Sequence, residues 1–200
     1  KSGAYVTLYS ADYNNGTNNY LHASGAGLQI WNASSTASHW TIEPATQLEV
    51  TVSSADYASI YLPFDVTLPE GENLKAYAVT STKGGYAKLE KMTTGIPANK
   101  GAILEGAGTH TLNIEEATSD WDENLLLGSN VNTYVEGDAF VLANGENGVG
   151  LYKAALNKGE SGADGDTHFL NNANKAYLQV SSTQGANMLR FDFGGETTGV

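Results

Sequence analysis

Cysteine is absent from this 200-residue chain. That absence excludes a disulfide framework, thiolate zinc sites and thiol nucleophiles. Charge is sparse at 16% of residues, and bases are scarcer than acids, 10 against 22. A net charge of −12 repels phosphate backbones and anionic membrane surfaces, so no nucleic acid partner is expected. No apolar run reaches the ~18 residues of a membrane-spanning helix. No leader is visible before Lys1-Ser2-Gly3, which leaves a removed leader or an excised piece as the expectation. No window of twelve residues carries a helical stripe, and at most one helical turn fits between Asp120 and Leu127.

What remains is a strand-forming sequence. Apolar residues make up 40% of the chain, enough for a core, and Ser, Thr, Asn and Gly supply turns. Short β-branched or aromatic runs recur at Val50–Val52, Ser59–Leu62, Ala76–Val79, Ala102–Leu104, Thr111–Ile114, Ala139–Leu142 and Ala176–Val180. Gly, Asn, Asp or Ser clusters bound each of them. Gly84-Gly85 predicts a tight hairpin between residues 76–82 and 86–89, because Gly-Gly accepts positive φ on both turn residues. Asn144 to Gly148 predicts a second hairpin, and Asn157 to Thr167 reads as a long exposed loop.

A shift from Asn/Ser/Trp/Tyr-rich to aliphatic composition near Pro44–Gln47 divides the chain. Residues 1–47 form a small N-terminal β unit, 48–194 an antiparallel β-sandwich of eight to twelve strands, jelly-roll or Greek-key-like, and 195–200 a linker or tail. Inward faces of alternating strands are expected to hold Ile60, Leu62, Val79, Leu89, Ile103, Leu104, Leu112, Ile114, Phe140, Leu142 and Leu178. One echo runs through the larger unit: Ala98-Asn99-Lys100 and Ala173-Asn174-Lys175 each precede a strand. A turn with Asn at positive φ would explain both, and suggests two related β units.

Ser59-Ile60-Tyr61-Leu62-Pro63-Phe64-Asp65-Val66, Lys75-Ala76-Tyr77-Ala78-Val79 and Gly95-Ile96-Pro97-Ala98-Asn99-Lys100-Gly101 resemble β-rich accessory domains near the C-termini of secreted or surface proteins of Bacteroidetes. Asn124–Ser129, Thr133–Val135 and Asn174–Leu178 fit the same pattern, and Phe191–Val200 looks like a linker before a sorting tail. The resemblance covers about residues 48–200 and implies an extracellular bacterial location without implying any chemistry. In residues 1–47, Tyr20-Leu21-His22, Leu28-Gln29-Ile30-Trp31-Asn32 and Ser38-His39-Trp40 are similar to one repeat of a ricin-type β-trefoil lectin. The closing Gln-x-Trp of that family would align with Ser38-His39-Trp40, its Gln replaced, and only one of three repeats is found.

Sugar binding needs aromatic faces for C–H patches and short polar groups for hydroxyls. Trp31, Tyr20, Asn32 and Asp12 are the candidates, Trp31 first. The competing reading makes Trp40 and Tyr20 core anchors and the asparagines turn formers. Asp164-Gly165-Asp166 places oxygen ligands at alternate positions, a weak calcium candidate without the bidentate Glu of an EF-hand. The carboxylates Asp120, Asp122 and Glu123 sit in no catalytic frame, and His22, His39, His110 and His168 have no metal-ligand spacing. The expectation is therefore a non-catalytic accessory or structural module, without cofactor, whose partners are neighbouring domains or a glycan. Carbohydrate binding through the N-terminal aromatics and adhesion to a protein are the alternatives.

Overall fold

A computed structural model describes residues 6–9, 19–25, 27–71, 73–118, 123–156, 167–180 and 186–194. The chain divides into two compact units, Lys1–Ala45 and Thr46–Val200. The fold is all-β, and the one helical element among the described residues is the 3-10 turn Thr36–Ser38.

In the first unit, β1 (Tyr20–Ser24) and β2 (Gly27–Trp31) form an antiparallel hairpin with Tyr20 opposite Trp31. Val6 and Trp40 exchange backbone hydrogen bonds of 2.9 Å, and the Leu21 amide donates to Leu8 at 2.8 Å. The Trp40 indole N–H donates to the Leu21 carbonyl at 3.0 Å, tying the end of the unit to the hairpin.

The second unit has thirteen strands among its described residues, more than the sequence predicts. They are β3 (Gln47–Val52), β4 (Tyr57–Tyr61), β5 (Lys75–Lys83), β6 (Tyr86–Lys91), β7 (Gly101–Glu105), β8 (Gly108–Asn113), β9 (Leu126–Ser129), β10 (Thr133–Glu136), β11 (Phe140–Gly145), β12 (Gly148–Lys153), β13 (His168–Asn171), β14 (Lys175–Leu178) and β15 (Met188–Asp192). Nine of them make one sheet in the order β4-β7-β5-β6-β15-β12-β11-β14-β9. The sheet is mixed: β15 runs parallel to β6 and antiparallel to β12. Its two ends meet, because the Tyr61 amide donates to the Asn174 carbonyl at 3.0 Å and the Tyr61 ring lies over Gly128. The result is nearly a barrel, with β3 and β8 paired as a second layer against one side.

The sheet order is the same read from either end, and the registers explain why. Tyr61 faces Gly101 in the β4–β7 pair, and Gly128 faces Ala176 in the β9–β14 pair. Tyr77 faces Ile103, and Phe140 faces Leu178. Lys83 faces Tyr86 across one hairpin, and Gly145 faces Gly148 across the other. The turns repeat as well. Ala98 N–H donates to Asp65 Oδ1 at 2.9 Å, and Ala173 N–H to Asn132 Oδ1 at 2.8 Å. Asn99 and Asn174, at φ 60° and 61°, donate to the Leu62 and Ser129 carbonyls, each at 2.8 Å. The unit is thus one motif built twice, residues 57–105 and 126–178, with β15 between the copies. A β-bulge at Thr80, where the β5–β6 register shifts between Val79 and Ser81, is the one register difference within the first hairpin.

Positive φ costs a non-glycine residue about 1–2 kcal/mol, least for Asn, whose side chain can bond locally. Asn174→Ala is therefore expected to lower unfolding free energy by about 1 kcal/mol, and Asn174→Gly to leave it nearly unchanged in urea denaturation.

Side-chain alternation builds two large cores, and a third, smaller cluster gathers Val135, Ala139, Ala154 and Phe169. Ala76, Ala78, Ala102 and Leu104 face the layer of β3 and β8, with Val52, Ile60 and Leu112. Tyr77, Val79 and Ile103 face the barrel interior, where they meet Leu89, Phe140, Leu151 and Leu178. Strands β5 and β7 are covered on both faces, so their apolar runs are continuous. Ile103 and Leu104, expected on a shared inward face, lie in different cores for this reason. Ile114 and Leu142 are only partly buried. Phe191 and Phe193, inside the domain bounds read from the sequence though within the stretch that resembles a linker, pack against the second core, Phe193 edge-on to Tyr77 at 5.2 Å.

Candidate functional site

The β1–β2 register puts Tyr20, His22, Gln29 and Trp31 on one face of the first hairpin. Tyr9 bridges to Tyr20, and their rings lie 5.4 Å apart. Trp31 is 45% exposed and Tyr9 58%, so this face presents aromatic surface to solvent. Beside it, the His22 ring sits 6.1 Å from Trp31, oriented by a 3.1 Å contact between its Nδ1 and Ser38 Oγ. Ser38 is fully buried and its hydroxyl donates to the Asn32 carbonyl at 2.9 Å, which sets the chain direction directly after Trp31.

Of the sequence candidates, Trp31 and Tyr20 come together on this face. Asn32 turns inward to its own loop: Oδ1 accepts from Ser34 Oγ at 2.8 Å and from the Ser35 amide at 3.1 Å. Asp12 lies outside the described residues, as do Asp164, Asp166, Asp120 and Asp122. His22 enters the site through register, and the alternation Tyr20-Leu21-His22 was the signal for it.

In the second unit a polar cluster surrounds Glu105. Its carboxylate accepts from the Tyr77 hydroxyl and from Lys75 Nζ at 3.3 Å. Tyr57 is its cross-strand neighbour. Burial first, then the Glu105 and Asp56 carboxylates, push the Tyr57 phenol up to about 12. Because the folded-state value lies above the ordinary 10, the stabilisation is complete below pH ~10 and is lost as pH rises through about 12. Thermal melts between pH 9 and 12 are expected to fall more steeply for the wild type than for Tyr57→Phe.

The histidines are held locally, His110 Nε2 by the Gly106 carbonyl at 2.8 Å and His39 Nε2 by the Ala33 carbonyl at 3.1 Å. Among the described residues no three His, Asp or Glu side chains gather as a metal site, and no helix is long and apolar enough to cross a membrane. Where the ends of the barrel meet, a cleft of about 550 Å³ lies between β4 on one side and β11, β13 and β14 on the other. No family model, curated protein or solved structure matches the chain.

Proposed function

We propose that the chain is a non-catalytic accessory module of a secreted or cell-surface bacterial multi-domain protein. The observation that carries this reading is the doubled motif of the second unit. Buried apolar side chains of both copies share one core. Such a unit serves as a rigid spacer or support. Incubation of the protein with polysaccharides and aryl glycosides is expected to release no product. Turnover that a Glu105→Gln substitution abolishes would overturn the reading.

A second reading, carbohydrate binding by the first unit, is favoured by the exposed Trp31 and Tyr9 beside His22. A sugar ring stacked on an indole would gain about 0.5–1.5 kcal/mol beyond its buried area. On a glycan array, Trp31→Ala is expected to weaken binding about tenfold, consistent with losing such a contact plus its area. Binding that is indifferent to both Trp31→Ala and Tyr9→Ala sinks the aromatic face as the site.

A further inference from the structure

Two asparagine–glycine pairs lie at the tip of the β11–β12 hairpin, Asn144-Gly145 and Asn147-Gly148. Both asparagine side chains are exposed. An asparagine can lose its carboxamide when the next backbone nitrogen attacks its Cγ. Ammonia leaves, and water opens the cyclic imide to aspartate or to isoaspartate. Glycine favours the attack as the following residue, because it has no Cβ in the way and rotates freely.

The fold separates the two pairs. The Asn144–Gly145 peptide lies inside the ladder, between the Asn144–Val149 and Gly145–Gly148 pairs. The Tyr152 ring covers it, since a Cβ added at Gly145 would lie 2.6 Å from Tyr152 Cζ. Rotating this peptide toward Asn144 Cγ opens both pairs and displaces the ring. The Asn147–Gly148 peptide lies on the turn side of the last pair, so opening Gly145–Gly148 alone frees its nitrogen. Nothing stands within 4 Å of a Cβ added at Gly148, whose φ of 85° calls for glycine. The residue that the turn requires is thus the one that leaves Asn147 Cγ open to attack. What restrains the peptide is the Tyr152 hydroxyl. It accepts from the Asn147 amide at 3.2 Å and donates to the Gly148 carbonyl at 2.8 Å. One side chain therefore grips the peptide groups on either side of the Asn147–Gly148 link.

We propose that Asn147 is a deamidation site of the folded protein, with Tyr152 as the positioning residue that sets its rate. The Gly148 nitrogen forms a bond to Asn147 Cγ, and the Cγ–Nδ2 bond breaks. The proton lost by the Gly148 amide leaves with Nδ2 as ammonia. Water then opens the imide, at the side-chain carbonyl to give aspartate or at the backbone carbonyl to give isoaspartate. Either product adds one negative charge to the hairpin tip beside Glu146. Isoaspartate also routes the backbone through the side-chain methylene, and this added length separates the two groups that Tyr152 joins.

The test holds the intact protein at mildly alkaline pH, which favours the deprotonated amide, and follows each asparagine by peptide mass spectrometry. In the folded protein Asn147 is expected to convert about tenfold faster than Asn144, because one hydrogen-bonded pair fewer has to open. In urea, where no ladder protects either residue, the two rates should come together. Tyr152→Phe keeps the ring and removes the hydroxyl. It is expected to speed conversion of Asn147 about threefold to tenfold and to leave Asn144 as it was. Three results would each overturn the proposal. One is Asn144 converting as fast as Asn147 in the folded protein. Another is Asn147 staying intact there while both residues convert in urea. The third is a Tyr152→Phe variant that leaves Asn147 unchanged or speeds both residues alike. No ligand or turnover enters these measurements, so the proposal stands or falls separately from the functional readings above.

Discussion

Gly95→Ala is expected to cost the second unit about 3–5 kcal/mol, from backbone strain and the hydrogen bonds lost in relieving it. Gly95 has φ +141°, a region that L-residues rarely adopt. An added Cβ would also lie 2.3 Å from the Val66 carbonyl oxygen and 3.1 Å from Ala117 Cβ. That oxygen cannot retreat freely, because Val66 and Ile96 exchange hydrogen bonds of 3.0 and 2.8 Å around it and both are fully buried. Urea denaturation followed by circular dichroism measures the loss. A cost near the ~1 kcal/mol of an ordinary turn glycine would show that the close approach does not constrain the fold. Leu170 occupies the corresponding place in the second copy, at the lip of the open cleft.

Phe140→Ala is the second large effect, about 3–5 kcal/mol. Phe140 is 1% exposed, pairs with Leu178 and sits where the two copies share their core. Its truncation removes aromatic transfer energy and leaves a void that two hydrogen-bonded strands on either side cannot collapse into. Both β12 and β14 flank β11, so neighbouring backbone has little freedom to move. The thermal midpoint of the unit should fall by roughly 6–20 °C, at ~2–4 °C per kcal/mol for this size. A change within ~1 kcal/mol would mean that the second core is loosely packed.

Local signals carried much of the fold. The alternation of Gln47-Leu48-Glu49-Val50-Thr51-Val52 reads directly as a strand with one covered face, and its burial alternates accordingly. Gly84 and Gly85 do adopt φ 60° and 83°, as a two-residue hairpin between right-twisted strands requires. The Ala-Asn-Lys echo marked the two copies, because the same positive-φ turn needs the same residue in each. Long-range pairings left no such mark. Nothing local in Gln47–Val52 names Gly108–Asn113 as its partner, and nothing in Met188–Asp192 announces a parallel neighbour in Tyr86–Lys91. At the aromatic face, Trp31 and Tyr20 were visible as residue types. Their alignment with His22, and the inward turn of Asn32, depended on hairpin register and on the buried Ser38.

By itself the sequence determined that the chain is all-β, where it turns and which of its turns repeat, since period-two hydrophobicity and positive-φ residues act within a few positions. Tertiary structure decided that β5 and β7 are covered on both faces and that the sheet curls until β4 meets the β14 turn. Those outcomes depend on which distant strands share hydrogen bonds; backbone donors and acceptors are nearly the same at every residue, so partners are chosen by side-chain packing between segments far apart in the chain, which no local pattern displays.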